Sequence, residues 1–279
     1  MPLQLMYITN NPAVALIAEK NGVDRIWIDL ENIGKEDRQK SVNSVKSHHT
    51  ISDIKIMAGV LTKSELMVRV NPWHDNSVNE IEQAIAFGAQ RIMLPMWKSK
   101  EETDNFLNLI HGRVKTTLLL ETKEAVNCLG EVLKNEFIDE VYIGLNDLHL
   151  SYGLTFMFEP LTSGLVEEIC QKLLKNKIPF GFGGIAKIGD GLLPSERIIA
   201  EHYRLGSTMV ILSRSFCDAE EIGAITEVEL LFEMNIKKMR DFERTVEKYT
   251  KNDFAENKKA TEQCVDYIVE RIKKVRVNE

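Results

Sequence analysis

Eight short apolar runs recur along this chain at regular spacing, each followed by an amphipathic stretch. This alternation limits the possible folds more than any other feature. The runs are Leu3–Thr9, Arg25–Leu30, Glu65–Val70, Arg91–Met96, Thr116–Glu121, Glu140–Gly144, Pro179–Gly183 and Thr208–Ser213. They are nearly continuous in hydrophobic character, as parallel strands covered on both faces must be. The stretches between them carry helix punctuation. Asn11-Pro12 reads as an N-cap with proline in the first turn, and Gly22 closes that helix. Ser99 with Glu102 forms a capping-box pattern ahead of Phe106, Leu107 and Ile110. Ile81, Ala84, Ile85 and Gly88 fall on one helical face, as do Leu165, Ile169 and Leu173. Eight such units in 279 residues, without a break in composition, predict an α/β fold, a (β/α)8 TIM barrel rather than a doubly wound sheet.

After Ser215 the pattern changes to helical periodicity with dense charge and no strand signal. One helix there completes the eighth unit. The last, roughly Phe254–Val275, is surplus to the barrel, so the chain divides into a barrel domain over residues 1–249 and a helical extension over 250–279. Cys264, Val265, Ile268 and Ile272 lie on one face of that helix and must dock on something, either a neighbouring subunit of a homo-oligomer or the chain's own barrel.

Charge excludes some partners. Lysine and arginine number 35 against 42 acidic residues, a net charge of −7, so no global field recruits nucleic acid or an anionic membrane. The four cysteines are far apart and never form a C-x-x-C pair, which predicts reduced thiols in a cytoplasmic protein. Residues 1–18 lack the basic start of a secretion signal, and no run of 18 apolar residues occurs elsewhere.

In a barrel of this kind the active site lies at the C-terminal ends of the strands. Four of the runs end in groups that are costly to bury: Asp29-Leu30-Glu31-Asn32, Arg69-Val70-Asn71, Leu120-Glu121, and Gly144-Leu145-Asn146-Asp147. Glu121 and Asp147 end adjacent strands and face each other. With no cysteine nearby they form a hard oxygen site, for which Mg²⁺ is the leading ion and Mn²⁺ the next. Position alone leaves open that Glu121 merely starts a helix while Asp147 makes an Asx turn. Arg69 adds a fixed positive charge suited to an enolate or a carboxylate, or else a salt bridge to Asp29 or Glu31.

These segments, with Gly88–Met96, occur in an order and spacing that resembles the HpcH/HpaI aldolase and citrate lyase beta-subunit family over roughly residues 5–215. The resemblance implies a divalent-metal carbon–carbon lyase, an aldolase acting through a pyruvate-like enolate on a small keto acid. Glu121 and Asp147 would hold the metal, and Arg69 would stabilise the enolate oxygen. Backbone N–H groups of Gly144, Leu145 and Asn146 would bind the substrate carboxylate. Such family members bury a C-terminal helix against a partner subunit, which implies a homo-oligomer.

The chain also departs from the family pattern. The hydroxy-acid branch carries a histidine after the acidic pair on the second strand, an aspartate on the third helix and a glutamine before the metal glutamate; here these positions are Asn32, Ala86 and Leu119. The acyl-CoA lyase branch has an acid where Asn32 stands. The proton carrier must therefore come from elsewhere. His74 in a rim loop is one candidate, with His149 and the pair His48-His49 as others, because histidine titrates near neutrality. Glu31 could carry protons if buried, or hold a metal-bound water. Gly181–Ile185 and Ser213-Arg214-Ser215 follow the last two strands, where barrels often bind phosphate. Two other readings compete with the aldolase: an acyl-CoA lyase of the citrate lyase beta type, and a catalytically silent barrel that binds a keto acid.

Overall fold

The computed structural model describes residues 1–34 and 49–278, so His48 lies outside the described residues. Eight parallel strands close into a barrel in chain order: β1 Gln4–Ile8, β2 Arg25–Asp29, β3 Glu65–Arg69, β4 Arg91–Leu94, β5 Lys115–Leu120, β6 Glu140–Ile143, β7 Phe180–Ile185 and β8 Met209–Leu212. Closure comes from β1 pairing β8, with Gln4 opposite Met209 and Met6 opposite Ile211. Every expected strand forms. The helices that matter below are α1 Pro12–Lys20, α2 Ile51–Val60, α3 Ser77–Ala86, α4 Lys100–Ile110, α5 Lys123–Val132 and α6 Leu145–Ser151. They are followed by α7 Glu159–Thr162, α8 Leu165–Lys175, α9 Ser195–Leu205, α10 Ala219–Ile222, α11 Ile225–Val246 and α12 Lys251–Asn278. Local chemistry starts them where the sequence indicates: the Asn11 side chain accepts from Ala13 N and Val14 N, and Ser99 Oγ accepts from Glu102 N.

Alternation along each strand sends one set of side chains outward to the helices and one set into the barrel. Ile26, Ile28, Leu66, Val68, Leu118 and Leu120 belong to the outer set and are buried beneath the helices. The inner set is layered. A middle layer of Met6, Trp27, Met67, Met93, Leu119, Tyr142 and Met209 is apolar. Below it, at the N-terminal end, the barrel is plugged by charge. Arg25 grips Glu140 through two bonds of 2.8 and 2.9 Å and pairs with Glu65 at 2.6 Å. Arg91 pairs with the same two carboxylates, and Thr117 Oγ1 donates to Glu140 at 2.7 Å. The rim residues form the layer above.

One strand departs from expectation. β7 runs to Ile185, so Gly183 and Gly184 belong to the strand end instead of a following loop. The register against β8 shifts between Gly181 and Gly184. A side chain at Gly181 would lie 2.3 Å from Met209 O, and Gly183 has φ of +60°, so only glycine lets this seam bulge.

The terminal helix α12 lies along its own barrel, against α9 and α7. Val265 and Ile268 are buried, while Cys264 and Ile272 are partly buried against the same core. Polar groups fix the helix in place: Asn257 Nδ2 donates to Glu201 at 3.0 Å and Lys258 pairs with Glu167 at 2.9 Å. The stripe that raised the prospect of a partner subunit is therefore largely consumed within the chain. Among the described residues no helix is long and apolar enough to cross a membrane.

Candidate active site

Arg69 at the end of β3, Glu121 just after β5 and Asp147 in the first turn of α6 bring their charges to one cavity of about 190 Å³ at the C-terminal mouth, with Trp27 of β2 in its wall. Arg69, Glu121, Gly144, Leu145, Asn146 and Asp147 all line it. Glu31 does not line it but reaches it through Arg69.

Arg69 is locked in place. Its Nε and Nη2 donate to the two oxygens of Asp29, both at 2.9 Å, and Nη2 also lies 3.2 Å from Glu31 Oε2. Its guanidinium carbon sits 4.9 Å from the centre of the Trp27 ring, a cation–π contact that sets the plane of the fork. Burial alone would weaken the cation, but Asp29 and Glu31 outweigh it and, with Glu121, hold Arg69 protonated far beyond its ordinary range. The salt bridge and the cavity role thus coexist: Arg69 lines the cavity while its Nε and Nη2 hold Asp29 and Glu31.

Glu121 is buried, and its Oε1 accepts the Met96 N–H at 3.0 Å. Burial raises its pKa well above the usual carboxylate range, and the negative charges of Asp147 and Glu31 raise it further, only partly offset by Arg69 and the Met96 amide. Gly144 makes room for this carboxylate: a methyl group there would lie 2.7 Å from Glu121 Oε2. Expected at the end of β6, Asp147 stands instead in the first turn of α6, because the strand stops at Ile143. Two carboxylates, one just after β5 in a cradle that only glycine leaves open and one opening α6, fit a hard divalent cation. Among the described residues no third His, Cys, Asp or Glu joins them to make a closed site. The fit is to an ion such as Mg²⁺, which keeps waters or substrate oxygens in its remaining positions.

Gly144, Leu145 and Asn146 open α6, but they are not equivalent. Gly144 N–H donates to Leu120 O at 3.0 Å and is committed to the β5–β6 ladder. The amides of Leu145 and Asn146 belong to the first turn and have no partner within the helix.

The histidines lie elsewhere. His74 lines a second cleft, of about 380 Å³, with His49, Asn32 and Asn71 on the outer side of β2 and β3. Its Nδ1 sits 2.8 Å from Ser77 Oγ and 3.0 Å from Pro72 O, contacts that fold the loop into α3. The Nδ1 of His49 accepts the Asp29 N–H at 3.0 Å, which puts its ring proton on Nε2. His149 is buried on α6. None of the three lines the cavity with Arg69 and Glu121. Leu30 and Asn32 point to the outer cleft while Trp27 and Asp29 face the barrel, so the side of the rim follows from strand alternation.

Tyr142 was not legible as a site residue. From β6 its side chain crosses the barrel interior, where the hydroxyl donates to Gly183 O and accepts the Ile211 N–H at 2.9 Å. It thereby bridges the bulged β7–β8 seam and holds Gly183 and Gly184 against the cavity. Burial, then the nearby Glu140 charge, keeps the phenol neutral despite the Ile211 amide. Arg214 and Ser215 are exposed and do not line the cavity, so the expected phosphate loop is represented here by the two glycines alone.

Comparison with known proteins gives a consistent picture. Residues 4–159 match the model of the HpcH/HpaI aldolase/citrate lyase family. No curated protein sequence matches significantly. Among solved structures, an HpcH/HpaI aldolase/citrate lyase family protein from Burkholderia cenocepacia J2315 superposes with a TM-score of 0.60 at 13% identity, covering 81% of this chain and 95% of that one. An HpcH/HpaI aldolase from Desulfitobacterium hafniense DCB-2 gives 0.58 at 15% identity, covering 82% and 93%. The citrate lyase beta subunit of M. tuberculosis, complexed with oxaloacetate and magnesium, gives 0.57 at 14% identity, covering 83% and 97%. At these identities the structural likeness concerns the fold.

Proposed function

Because the chain belongs to the HpcH/HpaI aldolase/citrate lyase family, we propose that it is a divalent-metal-dependent carbon–carbon lyase, an aldolase acting through a pyruvate-like enolate. The observation that carries this reading is Glu121, buried beside Asp147 in a glycine cradle and destabilised as an anion by its acidic neighbours. Such a pair is relieved by a dication. Mg²⁺, or Mn²⁺, bound by Glu121 and Asp147 would supply the charge that draws electrons toward the keto oxygen of a small 2-oxo acid.

The protein's own groups do the rest. Arg69 offers its guanidinium to the oxygen on which negative charge develops, and the Asp29 clamp holds that group in place before substrate arrives. The first-turn amides of Leu145 and Asn146 receive the substrate carboxylate. Gly144 contributes by having no side chain. Glu31 is the candidate proton carrier in contact with this machinery, through Arg69, whereas His74 faces the outer cleft. The four cysteines are all unpaired, which supports a reducing, cytoplasmic setting.

The test is isotope exchange. Incubated with pyruvate and Mg²⁺ in D₂O, the protein should exchange the methyl protons, seen by NMR, and Glu121→Gln should not. If neither exchange nor turnover of any keto acid depends on metal, a silent ligand-binding barrel replaces the lyase reading.

A further inference from the structure

We infer that the Tyr142 hydroxyl is a positioning group: by joining β7 to β8 where they lose register, it braces the first turn of α6, whose amides would receive the substrate carboxylate. The inference rests on the lyase reading for what those amides bind; the bracing itself is a property of the barrel. The two strands lose register between Gly181 and Gly184. Backbone groups left without a partner in such a buried gap are costly. The phenol serves one from each strand. Its oxygen accepts the Ile211 N–H of β8 at 2.9 Å, and its proton is donated to Gly183 O of β7. The glycines leave room for it: a Cβ on Gly181 would lie 2.6 Å from Tyr142 Cε2, and Gly183 has the left-handed φ of +60°.

The seam in turn supports α6. Leu145 packs directly on Gly183, where an added Cβ would stand 3.0 Å from Leu145 Cδ1. Leu145 is buried and opens α6, with Asn146 and Asp147 following in the same turn. Tyr142 stands three residues before Leu145, on the strand that leads into that turn. One side chain therefore ties together the strand from which α6 departs and the surface on which its first side chain rests. Removing the hydroxyl would leave Gly183 O and the Ile211 N–H unpaired, and the seam would have to shift under Leu145 to find them other partners.

The experiment compares Tyr142→Phe with Tyr7→Phe. The Tyr7 hydroxyl also donates to a backbone carbonyl, that of Cys217 at 2.9 Å, and neither residue lines the cavity. Both variants should fold, with melting temperatures lowered by a few degrees. At saturating Mg²⁺, Tyr142→Phe should raise the KM of pyruvate in methyl-proton exchange at least about 5-fold while kcat changes less than about 2-fold, because the amides grip a group that does not react. Tyr7→Phe should change neither. Gly183→Ala, which keeps the phenol but presses on Leu145, should raise KM in the same way. In the protein without substrate, the Leu148 N–H, bonded to Gly144 O at 3.0 Å, should exchange with D₂O at least about 10-fold faster in Tyr142→Phe than in Tyr7→Phe, read by NMR. An unchanged KM in folded Tyr142→Phe, or a rise shared equally by Tyr7→Phe, makes the hydroxyl purely structural and overturns the inference. If the unaltered protein neither binds nor turns over a keto acid with Mg²⁺, the lyase reading fails and Leu148 exchange decides the bracing alone: faster exchange upholds it, unchanged exchange overturns it.

Discussion

Replacing Gly144 by alanine separates the geometry of the site from its charge. The backbone there has φ −81° and ψ 86°, open to alanine, so strain is not the issue. A Cβ at this position would lie 2.7 Å from Glu121 Oε2, 3.0 Å from Glu121 Cβ and 3.2 Å from Leu119 Cδ1. Ordinary contacts between such atoms are about 3.5–4 Å, so the Glu121 carboxylate must retreat by roughly 0.5–1 Å. It cannot do so freely, because Oε1 is tied to the Met96 amide and the side chain is buried. Magnesium–oxygen bonds tolerate little departure from about 2.1 Å, so Mg²⁺ affinity should fall about 10- to 100-fold. Stability should change less, by about 0–2 kcal/mol, since overpacking is partly offset by the reduced freedom of the unfolded chain. Gly130→Ala, inside α5 with nothing within 4 Å of the added carbon, is the control: it should stabilise slightly and leave metal binding untouched. Calorimetric titration with Mg²⁺ decides the matter. A folded Gly144→Ala protein with unaltered Mg²⁺ affinity would refute the cradle and, with it, the metal assignment.

Other consequences follow from the same structure. Glu121→Gln should abolish Mg²⁺ binding yet raise the melting temperature of the metal-free protein at pH 7: a carboxylate with a raised folded pKa opposes folding above its unfolded pKa, and the amide removes that charge. A lower melting temperature in the variant would contradict this. Arg69→Lys should cut turnover by at least about 100-fold, because a flexible ammonium cannot keep the Asp29 fork and also present donors to the cavity; wild-type kinetics on the same keto acid would make Arg69 purely structural. Glu140→Gln should cost about 3–5 kcal/mol in urea denaturation, since two buried guanidiniums would share one half-buried carboxylate, and a loss under about 1 kcal/mol would mean the plug is not coupled. His202, fully buried and stacked on Phe182, has its pKa lowered by burial to about 3. The folded state therefore stays neutral while the unfolded chain takes up a proton, so stability should fall as pH drops from about 6.5 toward 3. Between pH 7 and pH 5 this loss is about 2 kcal/mol, and His202→Gln should remove most of that slope.

The sequence by itself determined the sequence-local part of this protein. Parallel strands buried on both faces have to be near-continuous apolar runs, so all eight could be placed within a few residues, and the closed barrel agrees with that reading. The rim charges were legible for the same reason: Asp29, Arg69, Glu121 and Asp147 each interrupt or follow an apolar run where barrels build their sites. Tertiary structure alone decided which charges meet across the barrel. Arg25 and Glu140 lie 115 positions apart and begin different strands, where a polar residue looks like an ordinary strand boundary. Only closure of the sheet brings them within 3 Å. The histidines show the same limit, because the side of the rim a loop residue faces depends on strand alternation and on the path of the loop, and His74 and His49 fall on the outer side. Tyr142 looked like one more apolar strand residue, since nothing local marks the bulged β7–β8 seam that its hydroxyl bridges. The destination of α12 was equally non-local. Its apolar stripe is a property of the sequence, but whether that stripe met this barrel or another copy depended on the complementary surface of α9 and on Glu167 and Glu201 standing where Lys258 and Asn257 could reach them.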